Sequence, residues 1–254
     1  MLNIEIVKCL SDNYCYILHD KDQNITAVID PSEFDSVNNL IEKKYKKLDF
    51  ILNTHHHYDH VGGNIELKKK YRSKIIGFEL DKKRIPGIDI FLKENQEFKL
   101  GNVKFKTIFI PGHTSGHIAF YFQNEDIIFT GDTLFSLGCG KVFEGTMKQM
   151  FSSINKIKDL PKKTKIYFGH EYTNNNLNFC LKYDVDNKFL LEQKKLIEIK
   201  IEKKIPTTPV FLEDELNTNI FLRSHVSSIK NTLNLSESSD EEIFVKLRAL
   251  KDIF

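Results

Sequence analysis

No apolar run in this 254-residue sequence approaches the ~20 residues a membrane-spanning helix needs, so a spanning protein is not expected. Charge of one sign is also missing. Lys plus Arg number 37 against 35 Asp plus Glu, a formal +2. Nucleic-acid binders usually carry a strongly one-sided charge, so no nucleic-acid partner is expected. Cysteine is scarce: Cys9, Cys15, Cys139 and Cys180 form no CxxC, and small buried thiols in a reducing compartment are a better reading than disulfides. The N-terminus, Met1–Glu5, has no basic stretch leading into an apolar one, so a secretory signal is not expected and a cytoplasmic location is. There is no repeat, no low-complexity tail and no GxSxG elbow, and no cysteine sits in a nucleophile-like context.

What is present is enough apolar residue, 41% of the chain, to build a sizeable core. The first two-thirds alternates short β-type runs with amphipathic segments. Strands are expected at 3–8, 14–19, 25–30, 48–53, 74–78, 103–110, 118–123, 126–130 and 165–169. Phe34, Val37, Leu40 and Ile41 are spaced for a helix packed on a sheet, and Ile65 and Leu67 are the apolar points of another. Thr146 with Gln149, and Ser239 with Glu242, are capping-box pairs that should open helices running to about 157 and 252. Residues 187–204 read as one lysine-rich helix with Phe189, Leu190, Leu196, Ile197 and Ile201 as its apolar face, stopped by Pro206 and Pro209. The texture changes near 165–170, so an α/β domain followed by a smaller helical one is expected.

The nine histidines are clustered. Four fall in Thr54-His55-His56-His57-Tyr58-Asp59-His60, between an expected strand and an expected helix. In an extended stretch residues i and i+2 point the same way, so His55 and His57 can grip one cation. Asp59 and His60 follow where the chain must turn, and can serve a second position. Imidazoles with carboxylates suit zinc, and also iron or manganese. Three further apolar runs end in a possible ligand: 108–112 in His113, 127–131 in Asp132 and 166–169 in His170. Loops at strand ends of one sheet edge are where α/β folds build active sites. Glycine before Asp132 and before His170 permits a tight backbone there. Seven donors, His55, His57, Asp59, His60, His113, Asp132 and His170, are too many for one catalytic metal, which typically takes three protein ligands plus water. They suit two metals that share a carboxylate.

The THHHYDH run, PGHTSGH (111–117), GDT (131–133) and GHEYT (169–173), in this order, resemble the metallo-β-lactamase superfamily. Within it, LGCGKVFEGT (137–146) and the KDIF ending (251–254) are similar to glyoxalase II, the hydroxyacylglutathione hydrolases. The resemblance spans essentially the whole chain. It implies an α/β fold, the metallo-β-lactamase-type αββα sandwich with a smaller C-terminal helical domain. Residues 1–168 would be the catalytic domain and 169–254 the substrate-binding one. It places His55, His57 and His113 on one metal and Asp59, His60 and His170 on the other, with Asp132 bridging. His56 and His117 are not ligands in that pattern. Lys141, Tyr172, Arg248 and Lys251 match positions that hold the glutathione portion of the substrate. Two departures stand out: Phe143 where some members offer a tyrosine hydroxyl, and Ile220 in Asn219–Arg223 where the family run has a proline.

The implied reaction is hydrolysis of S-D-lactoylglutathione to D-lactate and glutathione, the second step of methylglyoxal detoxification. A hydroxide held between two divalent metals, zinc first with iron or manganese as alternatives, would be the nucleophile, and Asp59 and Asp132 would be the catalytic carboxylates. Arg248 and Lys251 lie i and i+3 on the last expected helix. Spacing alone favours a solvated basic face there; the resemblance turns the pair toward a substrate carboxylate. A monomer acting on a small molecule is expected, with neither membrane nor nucleic acid as partner. A single-iron persulfide dioxygenase of the same superfamily is the main competing activity, and the long helical part after 175 argues against it. A metal-binding scaffold without catalysis is the competing class.

Overall fold

The computed structural model describes residues 2–254. By backbone contacts the chain forms two compact units, one of residues up to Phe109 with Thr114–Gly131, the other of Ile110–His113 with Asp132–Phe254.

The first unit holds one sheet of six strands in the order β1 (Leu2–Cys9), β2 (Asn13–Asp20), β3 (Ile25–Ile29), β4 (Phe50–Leu52), β5 (Lys74–Phe78) and β6 (Ile90–Leu92). The first three pair antiparallel and the last four parallel. Parallel neighbours need crossovers. These are α1 (Phe34–Lys44) between β3 and β4, α2 (Tyr58–Val61) with α3 (Asn64–Tyr71) between β4 and β5, and a loop holding a 3-10 turn at Glu79–Asp81 between β5 and β6. Val37 and Ile41 of α1 and Leu67 of α3 share a buried cluster with Val7, Ile17, Val28, Ile51 and Ile75 of the sheet. The face expected of α1 is therefore the buried one, whereas Ile65 of α3 is left exposed. Strands β7 (Glu97–Leu100), β8 (Val103–Phe109), β9 (Ile118–Phe122) and β10 (Ile127–Gly131) form an antiparallel meander. Aromatic rings fill the space between the two sheets: Tyr16 against Phe129 at 5.2 Å, Phe50 against Phe98 at 5.7 Å and Phe78 against Phe109 at 4.8 Å. The carboxyl ends of β3 and β4 lie side by side, since Asp30 N–H donates to Leu52 C=O at 2.9 Å.

The second unit carries β11 (Leu134–Phe135), β12 (Gly138–Cys139), α4 (Met147–Lys158), β13 (Lys165–Phe168), α5 (Thr173–Tyr183), α6 (Lys188–Glu202), β14 (Val210–Phe211), α7 (Leu212–Thr218), α8 (Ser227–Thr232) and α9 (Asp240–Asp252). Both expected capping boxes close, Thr146 with Gln149 on α4 and Ser239 with Glu242 on α9. The helical core is aromatic: Phe179 stacks on Phe221, and Phe244 meets both Phe221 and Phe151. On α6 the stripe is narrower than expected. Leu190 and Ile197 are buried, while Phe189 and Leu196 face water. Among the described residues no helix is long and apolar enough to cross a membrane.

One buried acid makes the second unit sensitive to pH. Glu215 accepts from Leu137 N–H at 2.8 Å, from the Asn219 amide at 2.9 Å and from Ser136 Oγ at 3.2 Å. Burial outweighs these donors and pushes its carboxyl up to about 7. Between about pH 4.5 and 7 the folded chain then holds a proton the unfolded chain has lost, so stability falls as pH rises through that window. Glu215→Gln can keep all three contacts, with the Ser136 hydroxyl turned to accept. It is expected to flatten the pH dependence and to gain up to about 3 kcal/mol over the parent at pH 8. Urea unfolding of both proteins from pH 5 to 8 checks this. A constant difference between them would show that Glu215 stays ionised when folded.

Candidate metal centre

In the first unit every candidate ligand follows β4. Past Leu52 the chain runs through Asn53 and Thr54 to His55, then enters α2, the turn expected at Asp59 and His60. The rings of His55 and His57 are 4.7 Å apart, and those of His55 and His60 are 4.2 Å apart. His56 takes another direction, with Nδ1 3.5 Å from the carboxylate of Asp81. Asp81 is fully buried and is held by Arg84, whose guanidinium also donates to Ser115. His117 stacks on His55 at 4.5 Å and is buried. At Gly131, with φ +48°, a Cβ would collide with Thr54 Oγ1 and the His117 ring, so glycine is required there.

Asp30, at the end of β3, organises this group and was not among the expected residues. Its carboxylate accepts from Thr54 N–H at 2.8 Å, Thr54 Oγ1 at 2.6 Å and His60 Nδ1 at 3.0 Å. Thr54 spends its hydroxyl proton on Asp30, so His55 Nδ1, 3.0 Å away, must be the donor to Thr54 Oγ1. Both imidazoles are thereby fixed with Nδ1 protonated and Nε2 carrying the lone pair. A local signal existed: Asp30 also ends an apolar run, as Asp132 and His170 do.

The second unit contributes His113, Asp132 and His170. Nδ1 of His113 lies 2.8 Å from the Lys141 carbonyl, which only accepts, so this ring too presents Nε2 as its lone pair. Asp132 Oδ2 is 3.4 Å from His113 Nε2 and 3.3 Å from His170 Nε2. Donors about 2.0–2.2 Å from one tetrahedral ion stand about 3.3–3.6 Å from each other, so these separations fit ligands gathered for a cation. His170 is braced by Tyr172, stacked parallel at 4.8 Å.

The expected substrate residues also lie in the second unit. Lys141 Nζ sits 5.8 Å over the ring of Phe143, which is exposed. Tyr172 is part-exposed. Arg248 is nine-tenths buried: it donates to the Cys139 carbonyl at 2.6 Å, pairs with Asp252 at 3.1 Å and lies over the Phe221 ring, while its Nε has no hydrogen-bond partner. Lys251 donates to Asn175 and lies over the rings of Phe179 and Phe254. Burial, helped by the charge of Arg248, pushes its ammonium down to about 8. Ile220, where the family run has a proline, is fully buried.

The metallo-β-lactamase superfamily model matches residues 11–170. The fold is the one that superfamily shares: ETHE1 from Myxococcus xanthus superposes with a TM-score of 0.70 over 98% of this chain and 90% of its own, at 19% identity. The His/Asp clusters of this chain imply divalent metals. A second model, hydroxyacylglutathione hydrolase C-terminus, matches residues 171–254. Hydroxyacylglutathione hydrolases of Pelagibacter ubique and Methylococcus capsulatus are 53% and 41% identical, covering all of this chain and 100% and 99% of theirs. The chain belongs to the hydroxyacylglutathione hydrolase family.

Proposed function

We propose that the protein is a metal-dependent thioester hydrolase that cleaves S-D-lactoylglutathione, and related S-2-hydroxyacylglutathiones, to D-lactate and glutathione, the second step of methylglyoxal detoxification. The observation that carries this reading is the full-length relationship at 53% identity, which includes the helical C-terminal segment. Residues 1–168 act as the catalytic domain and 169–254 as the substrate-binding one. His55, His57 and His113 hold one divalent ion, Asp59, His60 and His170 the other, and Asp132 serves both; zinc suits these donors best, with iron or manganese as alternatives. Metals bound there supply a water ionised near neutral pH and a Lewis acid for the thioester carbonyl.

The chain's own residues do the rest. Asp30 holds His55 and His60 in the tautomer that offers Nε2. Asp59 and Asp132 place carboxylates beside the reacting atoms. Lys141, Tyr172, Arg248 and Lys251 hold the glutathione portion, whose carboxylates call for cations. A thiolate leaving group needs little protonation, so no general acid is required. Four buried free thiols suit a reducing, cytoplasmic setting, where the chain acts as a monomer on a small molecule.

Metal analysis together with hydrolysis rates on a panel of glutathione thioesters tests the reading. Two metals per chain and a preference for lactoylglutathione are expected. Oxygen uptake with glutathione persulfide, without thioester hydrolysis, would replace it with the dioxygenase.

A further inference from the structure

Resting on the two-metal reading above, we propose that Asn13 is a positioning residue for Asp59. Asn13 is the first residue of β2, opposite Cys9 across the β1–β2 hairpin, and is buried. Its side-chain amide donates to Asp59 Oδ2 and to the Asp59 main-chain carbonyl, both at 3.0 Å. The two contacts fix the carboxylate relative to its own backbone. The short helix carrying Asp59 gives it no cap of its own: the helix has four residues, its N-cap makes no side-chain bond, and the Asp59 side chain is 37% exposed.

The chemistry of the donor matters. A primary amide offers two N–H groups in one plane and no charge. Lysine or arginine would bring a cation that competes with a metal for the carboxylate. A hydroxyl has one proton and could not serve both oxygens. The strand bearing Asn13 is itself tied to the metal-side network: Cys15 Sγ donates to the Asp30 carbonyl at 2.8 Å and accepts from Ser32 N–H at 3.2 Å. Asp30 holds His60. The two donors of α2 are thus held from behind by adjacent strands, Asp59 from β2 and His60 from the end of β3. An asparagine that merely tied β2 to α2 would need only the Asp59 carbonyl; the contact to the carboxylate assigns the further role.

The test uses full-length Asn13→Ala and Asn13→Leu, the second close to asparagine in shape but without a donor. Three quantities are read: the melting temperature of the metal-stripped proteins, chelator competition for zinc, and the visible spectrum of the cobalt-loaded form. One of the two zinc ions is expected to bind roughly 10- to 100-fold more weakly, as for lost outer contacts to metal ligands in general. The cobalt bands should shift, and kcat should fall with KM nearly unchanged. Should the alanine variant fail to fold, the leucine variant decides. Parent-like zinc competition and an unshifted cobalt spectrum in a folded variant would overturn the proposal. Asp59→Asn, measured alongside, separates the two levels. If it loses zinc while the Asn13 variants do not, only the role of Asn13 falls; if it keeps both ions at full affinity, the two-metal reading falls with it.

Discussion

Asp132→Ala is expected to lose both metals and at least about three orders of magnitude in kcat/KM, the largest effect of any single substitution in the chain. Asp132 is buried, and one of its oxygens stands within 3.4 Å of Nε2 on both His113 and His170. Removing the carboxylate leaves two buried imidazoles aimed at a position with no anion, where a divalent charge is poorly compensated. Loss of the Lewis acid and of the acidified water removes several kcal/mol of transition-state stabilisation, and each 1.4 kcal/mol is a factor of ten. His56→Ala is the matched control. It sits in the same histidine run, yet faces Asp81, so it is expected to keep both metals. Elemental analysis of the two variants, with steady-state rates, checks the pair. Full metal content in Asp132→Ala would remove that residue from its shared position.

The nine expected strands, both capping boxes and the buried face of α1 were legible because each depends on residues a few positions apart. The short β6, β7, β11, β12 and β14, two to four residues each, gave too little alternation to read. Where local signals were weak, elements were missed. Helix α5 opens on Thr173-Asn174-Asn175-Asn176 with no side-chain cap, and α7 and α8 are only one to two turns long. On α6 the apolar positions cover more of the helix than its neighbours can bury, so pattern alone could not choose Leu190 and Ile197 over Phe189 and Leu196. The seven candidate ligands stood out because each follows an apolar run or lies in the histidine cluster. The residues that orient them did not. Asp30 reaches Thr54 and His60 across 24 and 30 positions, Asn13 reaches Asp59 across 46, and only the sheet order makes them neighbours. Arg248 shows the same limit. Helical spacing placed it beside Lys251, but not its inward turn toward Cys139 and Phe221.

That inward turn gives Arg248 two measurable roles. Arg248→Ala is expected to raise KM for lactoylglutathione about 10- to 150-fold, the value of one charge-assisted hydrogen bond of roughly 1.5–3 kcal/mol. The glutathione carboxylates do not change charge during hydrolysis, so the interaction is uniform between ground and transition states and kcat should stay nearly constant. The same substitution is expected to lower the melting temperature, because the buried Cys139 carbonyl loses its donor and Phe221 loses the guanidinium above it, together about 2–4 kcal/mol. Lys251→Ala separates binding from folding, since its partners are one asparagine and two ring faces. With its ammonium pushed down to about 8, Lys251 is charged below that pH and neutral above it. The kcat/KM of the parent enzyme, which reports groups of the free protein, should therefore decline as pH rises through about 8. In Lys251→Ala that decline is expected to vanish, with kcat/KM already low at pH 7. Added salt should raise the parent's KM and leave the variant's less affected. An Arg248→Ala protein that is destabilised yet keeps the parent KM would make this arginine a builder of the Cys139 loop alone, and would leave Lys251 and Lys141 to hold the substrate's carboxylates.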